Sequence, residues 1–272
     1  MPRLQFVFRL TFTLMLTCPS VAAADALRLF KNYFVTGDYV TGGIGLRGMG
    51  VPDPATQAII GGPNLKYAKG TIRLSGVPAN ADIVAAFLYW QALENTSQPS
   101  GAHGTFLGNK ITGKQIAHAG AIGCWSSGGG SGTGTGAQAL RNYRADVMRF
   151  LPVNTMPNGG PSGQRQVNAV DFTVALPDSG GGGTQSSGTS NQATLLQGAS
   201  LVVVYRDPTQ PLRSVVLYDG GYTLNSSSPM MTQTVQGFYE ASNNPVAQMT
   251  HIVGDGDSSF KETLGVKVAT HR

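Results

Sequence analysis

An all-β fold is what this sequence predicts: a β-sandwich or jelly-roll-like arrangement of about ten strands, with one short helix and two long glycine-rich loops. Three observations lead there. The first is a pair of apolar runs, residues 201–205 and 215–218, built mainly from Val, Leu and Tyr, the residue types that fit a pleated, packed surface. The second is composition. With 37 glycines and only 12% charged residues over 272 positions, the chain suits an extracellular β protein with long loops better than a helical cytosolic enzyme. The third is spacing, since strand-like segments recur along the chain with Gly and Pro between them.

Residues 201–205 are apolar at consecutive positions, which predicts a strand covered on both faces. The intervening residues 206–211 contain Pro208, which disfavours helix at Asp207, so the two runs read as a β-hairpin in the core. Before them, residues 25–49 read as one or two strands with a turn or bulge at Gly37. Residues 48–63 read as loop because of Pro52, Pro54 and Pro63, with a short edge piece at 58–60. Residues 71–75 alternate, with Ile72 and Leu74 on one face. Residues 82–92 (DIVAAFLYWQA) read as a second strong strand, and helix is the competing reading because Ala and Leu favour it.

Residues 105–107 and 110–118 form a hairpin pattern around Gly108-Asn109. Tyr143, Val147, Phe150 and Leu151 are at helical spacing and Pro152 follows, which predicts the short helix over 143–151. Residues 166–176 alternate, with Val170, Phe172, Val174 and Leu176 inward. The glycine-rich stretches are 126–136 and 179–192. Residues 232–239, 245–253 and 264–269 read as the last strands.

The first 24 residues read as a secretory signal: Arg3 and Arg9, an apolar core at 10–17, and small residues at 21–24 for cleavage. The apolar core is too short for a spanning helix, which needs about 20 residues. A lipoprotein signal at Cys18 is the alternative. Removal of residues 1–24 takes away two arginines and no acid, so part of the +5 formal charge belongs to the signal. No basic cluster follows, which speaks against nucleic-acid binding, and no second hydrophobic span follows. Cys124 is then the only thiol, so no internal disulfide is expected. Residues 25–272 are read as one domain.

The order of several motifs carries a resemblance: Leu88-Tyr89-Trp90, Arg144-Ala145-Asp146-Val147, the Leu-Val-Val-Val-Tyr, Asp-Pro, Pro-Leu-Arg and Tyr-Asp-Gly elements within 198–224, and Gly254-Asp255-Gly256-Asp257. Together, over most of residues 30–268, the chain resembles the N-terminal β domain of large bacterial secreted and cell-surface proteins of adhesin-like type. Those proteins often carry immunoglobulin-like repeats after this domain. The resemblance implies architecture and a surface location, with no assigned activity. The sequence stops at Arg272 without repeats or an anchoring tail, so a short secreted form or a truncated reading frame is expected.

Candidate chemistry is sparse. Gly123-Cys124-Trp125 matches only the end of a papain-type nucleophile motif, and a buried structural Cys is the stronger reading. Asp255-Gly256-Asp257 places oxygen ligands at alternate positions, as Ca²⁺ requires, making Asp255, Asp257 and Glu262 its candidate ligands; a solvated turn is the competing reading. Tyr218, Asp219 and Tyr222 could present a carboxylate between two aromatic rings, as in sugar-binding sites, or serve packing alone. Only three glutamates exist, Glu94, Glu240 and Glu262, and none has an acidic neighbour to form a glycosidase pair. The expectation is a secreted or cell-surface, non-catalytic interaction module without a required cofactor, its partner an extracellular protein or glycan. The alternative is a carbohydrate-binding or carbohydrate-active jelly roll.

Overall fold

A computed structural model describes residues 27–61, 65–95, 99–120, 138–153, 164–165, 167–168, 170–180, 194–222, 230–238 and 247–254. In chain order these form β1 (Arg28–Gly45), β2 (Val51–Pro52), α1 (Pro54–Ile60), β3 (Lys66–Ile72), β4 (Asp82–Asn95), β5 (His103–Phe106), β6 (Asn109–Thr112), β7 (Lys114–Gly120), β8 (Gln138–Asp146), β9 (Phe172–Pro177), β10 (Leu195–Arg206) and β11 (Leu212–Asp219). One sheet has the order β11-β1-β10-β4-β8-β7 and the other β2-β3-β9-β5-β6. Every ladder between named strands is antiparallel. The all-β, two-sheet expectation holds.

β4 and β10 are the centre of the fold. Side chains alternate across a strand, and here both faces are apolar and covered. Ala86, Leu88, Trp90, Leu201 and Val203 pack against Phe106, Phe172, Val174 and Leu176 of the second sheet. On the opposite face, Ala85, Phe87 and Val204 pack against Tyr33, Val35 and Val215. A register shift between Val204 and Tyr205, which skips Val84, puts Ile83 with the inter-sheet core opposite Tyr205.

That second cover comes from β1. Its residues 37–45 pair with β10, whereas 28–36 pair with β11. In a flat sheet β11 and β8 would stand four strand spacings apart, about 19 Å. Yet Arg144 of β8 is ion-paired with Asp219 of β11, and Phe30 of β1 meets Phe87 of β4 edge-on, with ring centroids 5.3 Å apart. The ribbon formed by β11 and the first half of β1 therefore folds back over the outer face of the sheet. The corner lies at Gly37, where a Cβ would stand 2.1 Å from the Tyr205 carbonyl oxygen. Across from it, Asp207 N–H donates to the Thr36 carbonyl at 2.7 Å, and Asp207 Oδ1 accepts Thr209 N–H at 2.9 Å.

Several sequence expectations change. Residues 201–205 and 215–218 are both strands, but they form no hairpin with each other; each pairs with a different half of β1. Residues 143–146 belong to β8, and only Met148–Phe150 turn, as a 3-10 helix. Tyr143, Ala145 and Val147 are buried at alternate positions, so the helical spacing came from a strand running into a turn. The helix lies instead at Pro54–Ile60, with Pro at its start, where the missing N–H costs nothing; residues 58–60 are its end, not an edge strand. β3 ends at Ile72, earlier than the 71–75 pattern, though Ile72 and Leu74 do share the buried face. The described parts of the two late strands, 232–238 and 247–253, contain no strand. The signal segment, Cys124, the stretch 126–136, residues 181–192 and the segment 264–269 lie outside the described residues.

Candidate functional site

Neighbouring positions on β11 point to opposite sides, and this separates Tyr218 from Asp219. Asp219 faces inward. It pairs with Arg144 and accepts the Tyr89 hydroxyl at 3.2 Å. The Arg144 guanidinium lies 3.3 Å from the Phe30 ring centroid, a cation–π stack that the planar fork permits. Burial pulls the Arg144 pKa below the usual arginine value, and burial pushes the Tyr89 phenol up to about 12. The cluster therefore reads as an inter-layer clamp that fixes the ribbon on the sheet.

Tyr218 and Tyr222 face outward and are engaged by the chain itself. Tyr218 Oη accepts Gln236 N–H at 2.5 Å, and Tyr222 Oη donates to the Met230 carbonyl at 2.8 Å. Gly237 O accepts from Asn32 Nδ2 at 2.6 Å and lies 2.8 Å from Ser214 Oγ. Residues 230–238 thus lie across the outer face of the ribbon, held by side chains. Tyr218, Asp219 and Tyr222 do not converge on one groove.

What the sequence reading missed is a buried polar centre at the far end of β4. Glu94 is wholly buried. Its Oε1 accepts the Tyr143 hydroxyl at 2.7 Å, its Oε2 accepts Ser100 N–H at 2.8 Å, and Arg141 Nη1 stands 3.6 Å from Oε2. Burial, with the hydrogen bond to Glu94 and its negative charge, pushes the Tyr143 pKa well above the usual phenol value. Tyr143 stacks on Trp90, whose Nε1–H donates to Gly101 O at 2.8 Å. A Cβ at Gly101 would stand 2.4 Å from Glu94 Oε1, so only glycine lets this turn close over the carboxylate. Ser100 and Thr194 hydroxyls are hydrogen-bonded, tying the start of β10 to the same turn. The signal in the sequence was faint: one of three glutamates, sitting directly after the apolar pair Leu93 and Ala92. Its partners come from distant strands, which no local spacing reveals.

This end of the sheet is also where Glu94 pairs with Ala139, Gly120 with Ala139 and Leu195 with Leu93. Residues 96–98, 121–137 and 181–193 lie outside the described residues. Asp178, also buried, binds the neighbouring chain ends together: Oδ1 accepts N–H of Gly50 at 2.9 Å and of Gly180 at 2.7 Å, and Oδ2 accepts Leu196 N–H at 2.9 Å.

Asp255, Asp257 and Glu262 lie outside the described residues. Among the described residues no group of three or more His, Cys, Asp or Glu side chains gathers as a metal site would require, and no helix is long and apolar enough to cross a membrane. Two shallow hollows among the described residues carry charged side chains. One, of about 340 Å³, is lined by Lys110, Asp146 and Arg149; Lys110 is spent on the Ile60 carbonyl at the end of α1 and Asp146 on Met148 N–H. The other, of about 470 Å³, is lined by Asp82 and Arg206, which pair with each other at 2.6 Å. Neither presents uncommitted acid–base groups in a closed cleft.

The fold and these clusters define a two-sheet, antiparallel β protein whose described polar centres are structural clamps. Comparison with family models, with curated proteins and with solved structures returned no match.

Proposed function

We propose that the chain is a non-catalytic interaction module that works outside the cytoplasm, secreted or at the cell surface, and engages an extracellular protein through the part of the ribbon's outer face around Phe34 and Leu212, exposed beside the residues that the segment 230–238 covers. One observation carries this. Phe34 and Leu212 are 60% and 68% exposed. Thr36 pairs with Leu212 and Phe34 with Ser214, so Phe34 and Leu212 are diagonal neighbours on one face. An apolar surface of this kind, grouped on one face rather than scattered, marks an interaction site. The signal-like N-terminus and the sequence resemblance to bacterial surface domains support the location.

The test is saturable binding of the purified, labelled mature chain to intact cells that express it. Phe34→Ser with Leu212→Ser, an exposed pair, should weaken binding at least tenfold with an unchanged circular dichroism spectrum. Absence of saturable binding, or equal binding by the double variant, overturns the proposal. Binding that disappears only when surface glycans are enzymatically removed moves the reading to the carbohydrate-binding alternative.

A further inference from the structure

Sheet edges offer unpaired backbone groups to any passing strand, and proteins blunt them. Three of the four terminal strands here are blunted. β2 has two residues, one of them Pro52; β6 has four residues; β7 opens with Lys114 and carries a register shift between Gln115 and Ala117. β11 is different. It runs for eight residues, Leu212–Asp219, pairs with β1 on one side, and has no backbone partner on the other among the described residues.

The same chain holds a segment with the complementary need. Residues 247–254 (AQMTHIVG) carry no Lys, Arg, Asp, Glu or Pro, and include the strand-formers Thr250, Ile252 and Val253. All eight are exposed, with Met249 at 48%, Ile252 at 48% and Val253 at 61%. Among the described residues no backbone ladder holds them. Thr250 Oγ1 meets Tyr39 Oη at 2.9 Å, and Gly254 lies against the Gln91 and Gln197 side chains. Within its own chain the segment is therefore laid over side chains of β1, β4 and β10, and among the described residues it forms no ladder with β11.

We propose that residues 247–254 of one copy add as a strand to the free edge of β11 in a second copy. Main-chain hydrogen bonds would supply the affinity, as in other strand additions. The donor and acceptor surfaces differ, so the contact is head-to-tail, and copies would join into rings or open chains. This inference goes beyond the interaction reading and does not need the ribbon face to bind anything.

The experiment is sedimentation velocity of the full mature chain over a concentration series, with amide hydrogen exchange read at residues 212–219. The weight-average mass should at least double toward high concentration, and β11 amides should gain protection in step. Thr250→Pro, in an exposed position, should stay monomeric, and a synthetic peptide of residues 247–254 should cap assembly while protecting β11. A chain monomeric at every concentration overturns the proposal. So does assembly indifferent to both Thr250→Pro and the peptide. Protection of β11 that is independent of concentration, in a monomer, also overturns it and assigns the edge to the chain's own tail.

Discussion

Replacing Glu94 by glutamine removes one charge and leaves the shape of the side chain. In the native chain that carboxylate has no exposed surface and accepts from Tyr143 Oη at 2.7 Å and Ser100 N at 2.8 Å, with Arg141 3.6 Å away. Glutamine offers one acceptor oxygen, so one of the two donors meets an amide N–H₂ instead. A hydrogen bond to a charged group is worth about 1.5–3 kcal/mol, and breaking a buried ion pair from one side costs about 3–5 kcal/mol. The two figures describe overlapping losses, so about 3–5 kcal/mol is the expected total. At about 2–4 °C per kcal/mol for a domain of this size, the melting temperature should fall by about 6–20 °C. Urea unfolding followed by circular dichroism reads the same loss as a lower midpoint with an unchanged slope. Adding Arg141→Met should recover part of it, because the guanidinium no longer faces a neutral partner. A loss under about 1 kcal/mol would refute the reasoning, since it would mean that water reaches the carboxylate.

Three further outcomes follow from the same geometry. The Tyr89 phenol is raised to about 12 by burial, above an unfolded value of about 10; its contribution is therefore complete below pH 10 and is lost as pH climbs toward 12. Tyr89→Phe should flatten that alkaline loss of stability, and an equally steep loss in the variant would place the titration elsewhere. Arg144→Met and Asp219→Asn should couple in a double-mutant cycle by about 0.5–3 kcal/mol, whereas additive effects would mean that the ribbon does not rest on β8. Gly37→Ala forces a Cβ against the Tyr205 carbonyl and should cost about 1–3 kcal/mol, measured by urea unfolding; a neutral result would remove the corner from Gly37.

β4 and β10 were legible in the sequence for a physical reason: consecutive apolar residues survive in a strand only when both faces are covered, and here both are. The hairpin between β10 and β11 was misread because residues 206–211 carry good turn chemistry, and turn chemistry does not say which strand lies alongside. The partner of both runs is β1, more than 160 residues earlier by the register Gly37 to Arg206, and only Gly37 hinted at it. Residues 143–151 imitated a helix because a strand's alternation followed by a 3-10 turn can place apolar residues at helical intervals. The start of α1 was hidden by prolines that favour loop, although Pro54 at its first position also begins helices. Glu94 had no motif at all. Its site is assembled from β4, β8 and the turn at Ser100, and long-range assembly leaves no local trace. Tyr218, Asp219 and Tyr222 were noticed for their chemistry, but strand alternation divides them between two sides.

The folding of the ribbon over the outer face, which leaves β4 covered on both sides, is tested most directly by nuclear Overhauser contacts between ring protons of Phe30 and Phe87 in the selectively labelled chain. With centroids 5.3 Å apart, strong cross-peaks are predicted, and they should vanish in Phe30→Leu. A native spectrum that shows Phe87 ring contacts to β10 and β8 but none to Phe30 would contradict the three-layer arrangement.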